Sequence, residues 1–576
     1  MLPAVAAFVL LMFLLEPIPS VMPAPNRVLT FETSDATRTA RSIVELAPER
    51  QPGSDGNRAV ADLVRERFSA IEGGEVSVQD FDSTFDGEDV SLQNVILTLP
   101  GASPDTILVV AHRDSAEGPG AATSAAATGQ LIALAEALGG TRHDRTIVLA
   151  STDGGDGGAD GVRELAGSLP RPESIDEALV ISQPGARGVE PPFVVSSGLD
   201  PDSASPQLVQ TARAGASTQF GQRDPSPGPW AGLSRLAVPA GLGEQAALQG
   251  EGIEALAISA AGERQIAPGD DTEISAETMG AAGSAMLDLI LTLDESDRPP
   301  GEGPDDYIRL GDNLIPGWTL SLLAVTLLLP ALLTAADTWL RELRVDFRNR
   351  RSAFWAAERV LVPLAGLLLA YLLGIVGLVP DPQFPYDPGR FPAGAEAPIA
   401  FVAIAGAMAL AGLLIRPLRT PLDVEPHTLA AASGLLTGAA IFGIWLLNPY
   451  LALLLAPAAH VWLLPARASG PPRGVFIALA AVLSLIPAVV AFLTVSAQLD
   501  LGLSAPWHLL LMIEGGQFSL GMCLLWCALL GGLLACVSAA AARSNRPALD
   551  QPSVLGPGAY AGPGSLGATP SALEGR

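Results

Sequence analysis

An α/β layer domain followed by an all-α transmembrane bundle is the fold class this sequence predicts, on three observations. A chain of 576 residues with a mean hydropathy of +0.37 is too apolar for an ordinary soluble enzyme. Its net charge of −27 is confined to one half: 48 acids and 19 arginines precede residue 340, against 12 acids and 14 arginines after it. Apolar strand patterns alternate with helical ones up to about 297, and apolar runs of membrane-span length recur from about 317. Strands separated by helices argue for a sheet covered on both faces.

The same composition excludes several functions. All 33 basic residues are arginine, so chemistry that needs a lysine amine is absent: a P-loop nucleotide site, a Schiff-base enzyme, pyridoxal phosphate. The acidic half repels nucleic-acid phosphates. Cys523, Cys527 and Cys536 lie together in one apolar run, so residues 1–522 form no disulfide and the three read as small apolar helix residues.

Taken in order, residues 4–15 (AVAAFVLLMFLL) read as a signal anchor or a signal peptide, which sets the first domain boundary at 1–26. The next domain, 27–300, opens with a helix at 57–71 and strands near 76–82, 92–99 and 106–111. A helix at 125–138, strands at 145–151, 178–182 and 192–197, a helix at 205–216, a strand at 253–259 and a closing helix at 275–294 complete it. A linker, 301–316, leads to seven expected spans within 317–546: 317–336, 356–379, 398–415, 428–447, 449–465, 474–497 and 516–541. A Pro/Gly/Ser-rich tail, 547–576, reads as disordered.

Arginines orient the bundle. Arg341, Arg344, Arg348, Arg350, Arg351, Arg359, Arg416, Arg419, Arg467, Arg473, Arg543 and Arg546 fall on one side of the seven spans, and Arg390 alone on the other. The positive-inside rule puts the twelve, and the tail, in the cytoplasm, and residues 27–316 on the exocytoplasmic face of a multi-pass cell-membrane protein. The loop around Arg390, PDPQFPYDPGRFPAGAEAP, reads as a stiff connector. Glu514, His460 and His508 are the ionisable residues in or beside the apolar runs, apart from groups at helix ends.

In such a sheet ligands bind at the carboxyl ends of strands. After TILVVA comes His112-Arg113-Asp114-Ser115, and after TIVLAS comes TDGGDGGADG. His-x-Asp at a strand end suits a metal site, because the aspartate can fix the tautomer that presents a lone pair to the metal. The motifs APERQPGSDGNRAVADLVRERF, NVILTLPG, VVAHRDS, PGAATSAAATGQLIALAEAL, RTIVLASTDGGDGG, EGIEALAIS and APGDDTEISAETMGAAGSAML, spread over roughly 40–297, together resemble metallopeptidase family 28. These are di-zinc aminopeptidases related to glutaminyl cyclases, and an outer domain before several spans is similar to the membrane-bound branch. The resemblance implies an aminopeptidase-like mixed sheet flanked by helices.

It also implies a ligand set: two zinc ions share a bridging carboxylate, each takes a histidine and a further carboxylate, and a glutamate activates water. His112 and its supporting Asp114 match the pattern. The bridging aspartate falls at Thr123 within Ala122-Thr123-Ser124, and the paired glutamates at Gly155-Asp156, so the base position is Gly155 and Asp156 is a shorter residual ligand. A later aspartate falls at Gln183 and the last histidine at Gln245. No catalytic residue is therefore assigned, and the metal positions kept are His112 and Asp156. Asp153, Asp156 and Asp160 match no EF-hand pattern and read as a solvated loop; His143-Asp144 reads as a surface turn, Asp270-Asp271 as an outer loop. Ser115 and Ser124 sit in no nucleophile elbow.

The expectation is a catalytically degenerate family 28 protein, with no cofactor, that binds a peptide or protein at the outer face of a bacterial cell envelope. The alternatives are an active zinc-dependent aminopeptidase, with zinc as cofactor, and transport or signalling by the bundle under the control of the outer domain.

Overall fold

The computed structural model describes residues 2–168, 175–296, 300–301, 303–345, 351–415, 426–463 and 474–544. Helix α1 (Leu2–Phe13) runs into strand β1 (Glu16–Pro17), and helices α2 (Thr33–Leu46) and α3 (Asp55–Ser69) follow. Strands β2 (Glu75–Phe85), β3 (Glu88–Leu99), β4 (Ser103–His112), β5 (Arg145–Thr152), β6 (Ile175–Ser182), β7 (Val194–Val195) and β8 (Ala255–Ser259) form one seven-stranded sheet in the order β2-β3-β5-β4-β6-β8-β7. Strands β4, β5, β6 and β8 run parallel, and β2, β3 and β7 pair antiparallel to their neighbours. This is the mixed sheet expected of the outer domain.

Central β4 shows why its sequence is a nearly unbroken apolar run. Ile107, Val109 and Ala111 enter one core, and Leu108 and Val110 enter the other. Alternating side chains point to opposite faces, and both faces are covered. The first core is closed by α2, α4 (Ala126–Leu138) and α9 (Ala276–Asp294), and the second by α5 (Asp160–Ser168) and α8 (Glu244–Gly250). Ser54, Ser205 and Ser275 cap α3, α6 (Pro206–Gln219) and α9 by accepting a backbone N–H three residues on, which is why those helices start where they do.

Helices α2, α5, α7 (Pro229–Ala237) and α8 were not expected; the last three are only seven to nine residues long, too short for periodicity to mark them. The expected linker holds a hairpin, β9 (Tyr307–Leu310) and β10 (Asn313–Pro316), and β1 pairs with β10. That three-stranded sheet leads directly into α10 (Gly317–Val345), against which α1 packs.

Helices α11 (Arg351–Glu358), α12 (Leu361–Ile375), α13 (Glu396–Leu414), α14 (Pro426–Leu447) and α15 (Pro449–Val461) follow, then helices over Gly474–Leu483, Ile486–Gln498, Ala505–Glu514 and Leu520–Ser544. Among the described residues six helices are long and apolar enough to cross a membrane: Gly317–Arg344, Arg351–Ile375, Glu396–Leu414, Thr428–Leu447, Ala478–Gln498 and Leu520–Ala541. The expected span at 449–465 is a shorter apolar helix within the described residues. There Asn448 caps a new helix that ends at Val461, and its 13 residues, at about 1.5 Å each, fall short of a hydrocarbon core of roughly 30 Å. Arg348, Arg350, Arg416, Arg419, Arg467, Arg473, Arg546 and the tail lie outside the described residues.

Candidate functional site

The parallel pair β4 and β5 ends in register at His112 and Thr152, so both following turns open at the carboxyl edge of the sheet. His112 lies 3.8 Å from Asp156 through Nε2, so the two residual ligand candidates do come together. On its other side Nδ1 stands 3.4 Å from Oε2 of Glu244, the first residue of α8, whose Oε1 accepts a hydrogen bond from Thr152 at 2.7 Å. Glu244 is 4% exposed and is the residue that sequence reasoning missed; the resemblance implied a ligand one position later, at Gln245. Only the fold shows which of Glu244 and Gln245 faces inward.

Asp114 does not hold the imidazole, contrary to expectation. Its two oxygens accept the backbone N–H groups of Gly155 (2.9 Å) and Asp156 (3.0 Å), so it shapes the turn that carries Asp156. The Asp156 carboxylate is taken by Ala116 N (2.9 Å) and Gln265 Nε2 (3.0 Å). At Gly155 a Cβ would stand 2.3 Å from His112 Cβ and 2.4 Å from its Cγ: the ring fills the space above the glycine.

Thr123 lies in a π-helical turn, Ala121–Ala125, and donates its hydroxyl to Asp271, which also accepts the Ala122 N–H. Asp271 is therefore no outer-loop residue; it is 4% exposed and tethers its loop to the start of α4. Gln183, at φ +49°, donates to Arg264 O (2.9 Å) and accepts from Ile266 N (2.8 Å), fastening the loop after β8. Gln245 donates to Ser197 O at 3.4 Å, toward the edge strand. The aspartates of the glycine-rich turn serve separate partners. Asp153 is buried, not solvated, and binds Asn57 and Arg113, while Asp160 opens α5 and meets Ser83 and Arg163. His143 is also buried, 3.1 Å from Asp294, away from this edge.

Charge in the site is dense. Burial opposes the His112 cation, but Glu244, by hydrogen bond and field, and then Asp156 and Asp114 outweigh it and hold the imidazole up to about 10. Burial raises Asp114 to about 7 and also pushes Asp271 upward. Arg50, fully buried, reaches Ser124 Oγ (2.9 Å), Ala47 O and Arg113 O, within the field of Asp114, Asp271 and Asp156. Among the described residues no group of three His, Cys, Asp or Glu side chains is arranged to hold a metal ion.

The stretch around Arg390 is more than a connector. Arg390 donates to the Asp156 carbonyl (2.5 Å), pairs with Asp86 (2.6 Å) and lies 4.3 Å over the Phe85 ring, while Gln383 packs on Gly158. Arg390 thus clamps the turn that carries Asp156.

Residues 94–229 match peptidase family M28. No curated protein matches the chain. Similar solved structures include a glutaminyl cyclase from an Acidobacteriales bacterium (18% identity, 48% of this chain and 99% of that one, TM-score 0.39). They also include a Zn-dependent exopeptidase from Parabacteroides distasonis (17%, 46% and 99%, 0.37) and BSAP, a zinc aminopeptidase from Bacillus subtilis (14%, 46% and 95%, 0.38). The segment that matches peptidase family M28 carries His112, Thr123, Gly155, Asp156 and Gln183.

Proposed function

We propose that this is a membrane-embedded protein whose outer domain keeps the M28 framework without its two-zinc hydrolytic site, and binds a peptide or protein partner at the outer face of the cell envelope. One observation carries the reading: the His112 ring occupies the space that any side chain at position 155 would need. The donor set supports it, because the residues present do not fit two zinc ions. The His112 imidazole is engaged by Glu244 at 3.4 Å, the Thr123 hydroxyl is spent on Asp271, and the Gln183 amide is spent on a loop, so the positions left offer no set of anionic and imidazole donors for two cations. Function resides in sites rather than folds, so the framework alone does not license hydrolysis. The test is the zinc content of the detergent-purified full chain after dialysis against micromolar zinc, with aminoacyl-nitroanilide hydrolysis measured alongside. Well under one zinc per chain and no hydrolysis are expected; near two zinc with turnover would restore the aminopeptidase reading.

A second reading, transport or signalling by the bundle under control of the outer domain, is favoured by the Arg390 clamp on the Asp156 turn and by a buried Glu514 oxygen with no hydrogen-bond partner among the described residues. Here Glu514→Gln should alter proton-coupled flux in reconstituted vesicles; unchanged flux removes its main support.

A further inference from the structure

The two rims of the seven-stranded sheet are treated differently. At the β7 rim the Asp224 carboxylate accepts the Phe193 and Val194 N–H groups, at 3.1 and 3.2 Å. The opposite rim is β2, 11 residues long where strands usually run to about five or six, with no proline or glycine and an unbroken register to β3. Which of its backbone groups face outward follows from its neighbour. Gln93 sits opposite Asp80, and its N–H and C=O turn the other way, to Asp153 and Arg113. Asp80 therefore belongs to a non-hydrogen-bonded pair, and the N–H and C=O groups of Val76, Val78, Asp80, Asp82 and Thr84 point away from the sheet. Among the described residues no protein group pairs with them.

An unpaired row of this length is a template for another strand, and proteins blunt such rows with proline, bulges or charge. Here only charge is present, and it has one sign. Asp80 and Asp82 stand exposed along the row, and Glu88 and Asp89 of β3 flank its end; among the described residues none of the four joins an ion pair. Toward the other end Val76 packs on the first core and Val78 is 37% exposed. The strand is held from behind by α5, where Gln79 donates to Glu164 O at 3.1 Å and Ser83 meets Asp160, and its last residue, Phe85, lies 4.3 Å under Arg390. An edge already in place spares a partner the cost of ordering it.

We propose that β2 is the docking edge for an extended, basic segment of a protein partner, which adds to the rim of the sheet with arginine or lysine opposite Asp80 and Asp82 and apolar residues opposite Val76 and Val78. Main-chain hydrogen bonds supply the affinity of such an addition, and alternate side chains its selectivity. Opposite charges facing each other across a strand pair stabilise it and like charges do not, so a second copy of this chain, which brings the same acids to the row, is disfavoured. The assignment rests on the binding reading above for its partner class, and it does not depend on whether the His112 edge holds zinc.

The experiment measures, by fluorescence anisotropy, binding of a labelled, N-acetylated peptide as long as β2 to the detergent-purified full chain. In the peptide threonine alternates first with arginine and then with valine. Two further peptides of identical charge carry N-methyl groups on alternate amides, one in each frame, and a fourth has glutamate in place of arginine. Expected is binding of the parent peptide, a loss of at least about tenfold on methylation in one frame and little change in the other, since only one frame donates to β2, and no binding of the glutamate peptide. Val78→Pro removes one outward N–H and leaves the β3 ladder intact, and Asp82→Arg reverses an unpaired charge; each should weaken the parent peptide by about fivefold or more with unchanged thermal melting. Should Val78→Pro fail to fold, Asp82→Arg and the two methylation frames still decide. No binding of the parent peptide, equal binding of both methylated frames, binding of the glutamate peptide, or indifference to both variants would overturn the edge. Near two zinc per chain with turnover would instead remove the reading of the His112 site and leave these peptide results standing, so the two failures are distinguishable.

Discussion

At Gly155 the geometry turns on one atom. A methyl group there has to displace the His112 ring, since the nearest approaches are 2.3 and 2.4 Å, both to the part of the imidazole anchored to its own backbone. Gly155→Ala should therefore destabilise the outer domain by about 1–3 kcal/mol, read as a lowered melting temperature, and Gly155→Glu should do worse without creating a base. His112 also sets a pH dependence. Its pKa is raised from the ordinary 6.5 to about 10, so its contribution to stability is complete below pH 6.5 and is lost as pH rises through about 10. Histidine-labelled NMR of the full chain should show one imidazole that stays protonated past pH 8, and Glu244→Gln should bring its titration toward the ordinary range. A His112 titrating near 6.5 in the wild type would contradict the Glu244 clamp.

The element that matters most to the candidate site belongs to the other half of the chain. The connection between α12 and α13 sends Arg390 onto Asp86, Phe85 and the Asp156 carbonyl. Asp86 is two-thirds exposed, which screens that ion pair, but the ring contact and the carbonyl bond are shielded. Arg390→Ala should cost about 1 kcal/mol of local stability, seen as faster hydrogen exchange over residues 153–160 with exchange in the spans unchanged. Asn448 makes a second link. Its Nδ2 donates to the Leu236 and Ala237 carbonyls at the end of α7 while its Oδ1 caps α15 through Leu451 N. Asn448→Ala removes a cap and two buried hydrogen bonds, and should lower the melting temperature by an amount corresponding to about 1–3 kcal/mol.

Over the whole molecule, the α/β domain rests on one end of the helices: Arg264 meets Asp500, Gln517 donates to Leu199 O, and Trp230 meets Thr494. The spans Gly317–Arg344 and Arg351–Ile375 are consecutive, so the end of the first and the start of the second lie away from that domain. If the chain crosses a membrane, a cysteine at Asp86 and one at Glu358 should react with a membrane-impermeant reagent from opposite sides. The native Cys523, Cys527 and Cys536 are buried and contribute little background. Labelling of both from one side would refute the expected orientation.

Much of this was legible in the residues alone, and the reason is locality. The sheet strands of the outer domain, the closing helix and six of seven expected spans follow from periods of two and 3.6 and from the length of apolar runs, which are properties of neighbouring residues. The element at 449–461 is apolar throughout, and only the cap at Asn448 and the end of the helix at Val461 mark its length. Within the site, His112 and Asp156 were found because they sit in ungapped motifs at strand ends. Glu244, Asp271 and Arg390 were not, because each reaches the site across more than 130 residues of chain and no local pattern records which side chain of an adjacent pair turns inward. Composition and spacing determined what the layers are. Which charges those layers bring to His112, and that its ring rather than a glutamate fills the space above Gly155, was decided by packing, where a few tenths of an ångström separate a contact from a clash.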